Sequence, residues 1–165
     1  MTGIRSVLFL CTGNATRSVL AGELLRRRRP DLTVETAGTL SVGGRPISWR
    51  TRRAFEAVGV VPPRHASVQA DAEHLGAVDL IVGLAPEHVH WVRREHPTYA
   101  SRAATLIRLD RTRQELASWV ASGAPGAVGL ADWEEVVDPG GGEVDAFVAC
   151  AREIDALIDR VAPRL

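Results

Sequence analysis

The stretch VLFLCTGNATRSVLAGELL, residues 7–25, runs from an apolar segment through a short polar loop into a helix-like pattern. Four consecutive apolar residues at positions 7–10 are typical of a buried strand, and the pattern of an amphipathic helix begins near Ser18. Cys11 therefore lies where a strand ends, and Arg17 lies six positions later, where a helix begins. The junction predicts a strand, a tight loop and a helix, in that order.

The loop between Cys11 and Arg17 has the expected features of an anion site. It consists of Thr12, Gly13, Asn14, Ala15 and Thr16. A helix N-terminus offers free backbone N–H groups and the positive end of the helix dipole. Open α/β sheets bind their ligands beyond the carboxyl ends of their strands. The loop is thus predicted to bind phosphate or another oxyanion.

The same environment favours the thiolate form of a cysteine, which is its nucleophilic form. A guanidinium such as that of Arg17 can hold two phosphate oxygens in a planar fork while the sulfur faces phosphorus. Gly13 permits close backbone approach, and Asn14 tolerates a left-handed backbone. The Ser18 hydroxyl can donate a hydrogen bond to the thiolate or simply cap the helix. A buried cysteine after a strand is, taken alone, more often an inert core residue than a nucleophile, so the prediction rests on the joint pattern.

The rest of the chain alternates apolar runs with amphipathic segments, which is typical of an α/β fold around a buried parallel sheet. Strands are predicted near Ser6–Leu10, Thr33–Thr36, Leu80–Leu84 and Thr105–Leu109. Helices are predicted near Ser18–Arg29, Trp49–Val58, Pro86–Glu95, Arg111–Ser122 and Val144–Val161. The glycine-rich segment of residues 122–143 is predicted to be a long loop. Such a loop either carries functional residues or is only a mobile connection.

Length and composition set further bounds. The 165 residues are expected to form one domain, 1–165, and 45% hydrophobic with 24% charged residues is usual for a globular protein. Twenty basic and twenty acidic residues cancel, which argues against a nucleic-acid partner. The sequence has no apolar run of membrane-spanning length and no signal-peptide pattern, so we expect a cytoplasmic protein without a membrane partner.

The number and spacing of the cysteines and histidines do not indicate a metal site. Two cysteines, Cys11 and Cys150, are too few for a zinc site or a disulfide framework. His88 and His90 lie two positions apart on a predicted helix and so point to different faces, while His74 and His96 stand alone. The chain has no lysine, which excludes the nucleotide-binding P-loop motif. No metal and no cofactor are therefore expected.

The segment VLFLCTGNATRS resembles the CxxxxxRS signature of the low-molecular-weight protein tyrosine phosphatases. The likeness continues through ETAGT, GGRPISWRTRRAFEAVGV, RHAS, DLIVGLAPEH and VVDPGGG. It implies a three-layer fold, a four-stranded parallel sheet of order 2-1-3-4 with helices on both faces, and hydrolysis through a phosphocysteine. It also implies that Asp138 is the general acid, stiffened by Pro139, and that His65 supports Asn14, although an ordinary loop histidine is an equal alternative for His65.

The chain departs from that family at the walls of the pocket. Gly140 follows the Asp-Pro pair where an aromatic residue is usual, and Leu40, Ser41 and Val42 stand where another aromatic residue is frequent. Ala15 replaces a larger apolar residue, and Thr16 replaces a frequent second cysteine. Aromatic walls hold a phenyl ring. The substrate is therefore expected to be phosphotyrosine or a less bulky phosphorylated side chain such as phosphoarginine.

Two other functions use the same loop. An arsenate reductase of related fold would need an external thiol here, because Cys150 is the only other cysteine. A binding module would keep the oxyanion and omit turnover. Arg17 and Asp138 argue against that module, because the Asp138 carboxylate opposes anion binding unless it works as an acid.

Overall fold

The sheet of the computed structural model, which describes residues 3–165, has four parallel strands, which lie in the order Thr33–Gly38, Ser6–Cys11, Leu80–Gly83 and Ala103–Thr105. The strands are β1 Ser6–Cys11, β2 Thr33–Gly38, β3 Leu80–Gly83 and β4 Ala103–Thr105. This order confirms the predicted fold class.

Helices cover both faces of the sheet. The α-helices are α1 Arg17–Arg28, α2 Trp49–Ala57, α3 Ala72–Gly76, α4 Pro86–Glu95, α5 Leu106–Arg111, α6 Leu116–Ala121 and α7 Val144–Val161. Short 3-10 helices lie at Pro97–Arg102, Ala124–Ala127, Asp132–Glu134 and Ala162–Arg164. Within residues 3–165, no helix combines the length and the apolar character that crossing a membrane requires.

The alternation of side chains along β1 divides the core into two layers. Val7, Phe9 and Cys11 face the larger layer, which includes residues of α1, α2 and α7. Leu8 and Leu10 face the smaller layer, which includes residues of α3 and α4. Successive strand residues point to opposite faces, so the uninterrupted apolar run of β1 is explained by burial on both sides.

The carboxyl edge of the sheet brings the loops after the strands together. Cys11 pairs with Gly38 at the end of β2, and Gly83 pairs with both Leu10 and Thr105. Gly38 has to be glycine, because a Cβ there would lie 2.5 Å from the carbonyl oxygen of Thr12. The cysteine loop thus packs directly on the end of β2.

The prediction of a strand at Thr105–Leu109 is wrong. The strand β4 ends at Thr105, and helix α5 starts with the next residue. The Thr105 side chain accepts a hydrogen bond from the backbone N–H of Arg108, which is an N-cap. The apolar residues that suggested a strand therefore pack against the core from the first turns of a helix.

The prediction of one helix at Arg111–Ser122 is also wrong. Arg111 ends α5, and α6 begins only at Leu116. The Glu115 carboxylate accepts hydrogen bonds from the backbone N–H groups of Ala117 and Ser118, and these bonds start a new helix. The amphipathic pattern of the segment does not reveal this break.

Candidate active site

The cysteine loop presents unpaired backbone donors at the start of α1. The N–H groups of residues 13–18 make no hydrogen bond to any acceptor within residues 3–165. They lie between the end of β1 and the first turn of α1, where the helix dipole adds positive potential. The loop can therefore donate several hydrogen bonds to one bound oxyanion, as the sequence predicts.

Asn14 holds the loop in its curved shape. It is fully buried, and its φ of +53° makes it the one non-glycine residue in the left-handed region within residues 3–165. Its side-chain oxygen accepts from Val68 N–H at 2.9 Å, and its Nδ2 donates to Thr36 Oγ1 at 2.9 Å. His65 Nε2 donates to the Asn14 carbonyl oxygen at 2.7 Å. The loop is thus held by β2 and by the segment that carries His65.

Ser18 connects Asn14 to the sulfur. Asn14 Nδ2 donates to Ser18 Oγ at 2.9 Å, and Ser18 Oγ lies 3.0 Å from Cys11 Sγ. Because the serine oxygen already accepts from the amide, its own proton is free to point at the sulfur. A donor at this position stabilises a thiolate more than a thiol.

Arg17 is buried but reaches the mouth of the loop. Its Nη1 donates to the Val136 carbonyl oxygen at 3.1 Å, and its Nη2 lies 3.4 Å from Asp138 Oδ2. Val136 is itself fixed by an N–H to Leu84 carbonyl bond of 2.8 Å. The structure therefore brings Asp138 to Arg17 at the end of the cysteine loop, although the two residues lie more than a hundred positions apart in sequence.

The other loop residues lie at its rim. Ser41 Oγ donates to the Gly13 carbonyl oxygen at 3.0 Å, and Thr16 Oγ1 pairs with Thr51 Oγ1 at 2.9 Å. Ala15 is exposed. These contacts attach the loop to the segments that follow β2.

His88 is a site residue that the sequence pattern did not identify. It is fully buried, and its Nδ1 accepts from Ala85 N–H at 3.1 Å. Its Nε2 lies 3.1 Å from Thr12 Oγ1, so the neutral ring carries its proton on Nε2 and donates to the threonine. Burial, with a smaller contribution from the Arg17 charge, lowers the pKa of His88 to about 3. His88 therefore supports the cysteine loop as a neutral donor.

The segment before Asp138 is anchored by a buried ion pair. Glu134 is fully buried and accepts hydrogen bonds from Thr105 Oγ1 at 2.7 Å and from Arg108 Nη2 at 2.8 Å. A third bond comes from Ala131 N–H at 2.7 Å. Burial alone would raise the pKa of Glu134, but these hydrogen bonds outweigh it and the pKa lies below its ordinary value. The ion pair between Arg108 and Glu134 therefore fixes the segment that leads to Val136, whose carbonyl oxygen accepts from Arg17.

We expect Glu134→Ala to lower the free energy of unfolding by about 3 kcal/mol, because it leaves Arg108 without its partner. Glu135→Ala, at the exposed neighbouring residue, should change it by less than about 0.5 kcal/mol. Urea unfolding measures both. Because the pKa of Glu134 is lower when folded, its contribution is present above the unfolded value of 4.5 and is lost as pH falls below it. Equal stability of the two variants would contradict a stabilising ion pair.

Trp49 and Trp133 both contact arginine side chains. The guanidinium groups of Arg108 and Arg111 lie over the Trp133 ring, at 4.6 and 4.2 Å from its centroid. Trp49 pairs with Arg50 at 4.7 Å. The exposed side chains of the segment after β2 are aliphatic, with Leu40 79% and Val42 67% exposed. Aliphatic side chains of this kind cannot stack on a phenyl ring and so bind it more weakly than aromatic side chains do.

Cys150 lies in the core on α7, next to the segment that carries Asp138. Burial raises the pKa of this thiol to about 12, so it stays protonated at neutral pH. Its environment is that of a packing residue.

The fold and the site define a cysteine-dependent phosphatase, a hydrolase of phosphorylated protein side chains. The family model described as "Low molecular weight phosphotyrosine protein phosphatase" matches residues 6–165. The chain therefore belongs to that family.

The chain is similar both to proteins named arginine phosphatases and to proteins named tyrosine phosphatases. A protein-arginine-phosphatase from Geobacillus stearothermophilus is 26% identical over 160 residues, which cover 96% of this chain and 95% of that protein. The low molecular weight protein-tyrosine-phosphatase Etp from Escherichia coli is 33% identical over 84 residues, or 51% of this chain and 57% of that protein. A solved arginine phosphatase structure from Geobacillus stearothermophilus superposes with a TM-score of 0.78 at 25% identity, covering 96% of this chain and 90% of that one.

Proposed function

We propose that this phosphatase acts on phosphoarginine side chains of proteins in preference to phosphotyrosine, with Cys11 as nucleophile, Arg17 as phosphate clamp and Asp138 as general acid. The observation that carries the preference is the pocket mouth, where aliphatic Leu40 and Val42 are exposed and Gly140 follows the Asp-Pro pair. The arginine phosphatase relative, which aligns over nearly its whole length, supports the same choice.

In the first step Cys11 Sγ attacks phosphorus and forms a sulfur–phosphorus bond. The phosphorus–nitrogen bond breaks, and the departing guanidine nitrogen takes its proton from Asp138. Arg17 and the N–H groups of residues 13–18 hold the phosphoryl oxygens as negative charge moves among them. The contact between Asp138 Oδ2 and Arg17 Nη2, at 3.4 Å, supports this role.

In the second step the Asp138 carboxylate takes a proton from water, which attacks the phosphocysteine and releases phosphate. The sulfur leaves as a thiolate, and the Ser18 hydroxyl at 3.0 Å stabilises it. Asn14 and His65 keep this serine and the loop in place. No step requires a cofactor.

The test is a comparison of two peptides of one sequence, phosphorylated on arginine or on tyrosine. We expect kcat/KM to be about twofold to tenfold higher for phosphoarginine, since the missing aromatic contacts are worth roughly 0.5–1.5 kcal/mol for a phenyl ring. Turnover should persist in the presence of a metal chelator. The proposal would be contradicted if the phosphotyrosine peptide had a micromolar KM and a higher kcat/KM than the phosphoarginine peptide.

A further inference from the structure

Glu87 is a carboxylate at the mouth of the loop that the phosphatase chemistry leaves without a role. It lies in the first turn of α4, and its side chain is 65% exposed. Its Oε1 lies 3.5 Å from Thr12 Oγ1 and 4.0 Å from Arg17 Nη2. An acidic residue in a first helical turn already interacts well with the helix dipole when it points to solvent. The dipole alone does not explain why this side chain reaches the cysteine loop.

Glu87 and Asp138 flank the same nitrogen of Arg17. Asp138 Oδ2 is 3.4 Å from Arg17 Nη2, and Glu87 Oε1 is 4.0 Å from it. A phosphoryl group held by Arg17 would therefore lie close to both carboxylates. The proposed mechanism uses Asp138 as its acid, whereas a second carboxylate only repels the phosphate oxygens.

That repulsion is offset when the leaving group supplies donors. The guanidino group of a phosphoarginine is planar and presents N–H groups in a geometry that matches a carboxylate. The phenyl ring of phosphotyrosine presents none. A carboxylate at the position of Glu87 thus favours the first substrate and opposes the second.

We infer that Glu87 is a specificity-determining residue, whose carboxylate accepts hydrogen bonds from the guanidino group of the substrate. This inference rests on the proposed function and adds the residue that recognises the leaving group. His88 keeps the arrangement in place, because its Nε2 lies 3.1 Å from Thr12 Oγ1 and 3.5 Å from Glu87 Oε1.

The experiment measures kcat/KM of Glu87→Gln for a phosphoarginine peptide and for p-nitrophenyl phosphate. We expect about a fivefold to tenfold loss with phosphoarginine, a modest value because the pair is solvent-exposed. The aryl phosphate should gain about twofold as the repulsion is removed. The ratio of the two values therefore falls by an order of magnitude. Glu135→Gln is the matched control, since Glu135 lines the same cleft as Glu87, and its ratio should stay within about twofold of the parent.

The outcomes separate the two proposals. A parent enzyme that cleaves the aryl phosphate but not phosphoarginine overturns the proposed function, and the inference on Glu87 falls with it. A parent enzyme active on phosphoarginine, with the same substrate ratio in Glu87→Gln, overturns only the inference. An equal loss on both substrates shows that Glu87 has a structural role and also overturns it.

Discussion

Cys11→Ser is expected to lose turnover by about four powers of ten or more, which corresponds to roughly 5 kcal/mol of transition-state stabilisation. The serine fits the same space, but a hydroxyl is a much weaker acid than a thiol and therefore a much weaker nucleophile at neutral pH. The hydroxyl of Ser18, 3.0 Å from Sγ, is well placed to stabilise a thiolate but does not remove a proton from an alcohol. Initial rates with p-nitrophenyl phosphate measure the loss.

Two controls keep this result interpretable. The melting temperature of Cys11→Ser should stay within about 4 °C of the parent, because the substitution is nearly isosteric. Cys150→Ala removes the other thiol, which lies in the core, and should keep activity within about threefold. Full activity in Cys11→Ser, or its loss in Cys150→Ala without unfolding, would contradict the assignment of the nucleophile.

Arg17→Lys is expected to lower kcat/KM by two or more powers of ten, about 3 kcal/mol. The substitution keeps the positive charge but removes the planar fork that holds two phosphoryl oxygens. It also removes the bond from Nη1 to the Val136 carbonyl, which orients the guanidinium toward the mouth. Steady-state kinetics should show the loss mainly in kcat, because the bonds strengthen in the transition state.

The matched control is Arg53→Lys, at an exposed residue paired with Glu56. Its kcat/KM should equal that of the parent. A loss of less than threefold in Arg17→Lys would mean that charge alone suffices and that Arg17 is not the phosphate clamp.

The sequence predicts the sheet and the cysteine loop for identifiable physical reasons. The apolar run of β1 is continuous because both of its faces are buried, and the change of period at Ser18 marks the start of α1. Asn14 is suited to a left-handed backbone, and the structure places it there. These features are local, so a single segment of sequence contains them.

Features that depend on distant partners could not be predicted in this way. The boundary between β4 and α5 is set by the side-chain cap of Thr105, which competes with a strand-like apolar pattern. His88 stands near other histidines, and only the fold shows that it donates to Thr12. The anchor between Arg108 and Glu134 joins segments 26 residues apart and leaves no periodic signal.

The most direct test of the central claim is to trap the phosphorylated enzyme. In Asp138→Asn, an activated substrate such as p-nitrophenyl phosphate needs no proton on its leaving group, while hydrolysis of the intermediate lacks its base. Rapid mixing should give a burst of nitrophenol close to one equivalent per chain, and phosphorus NMR with peptide mapping should place the phosphoryl group on Cys11 Sγ. Steady turnover without a burst, or a phosphoryl group on another residue, would contradict the account.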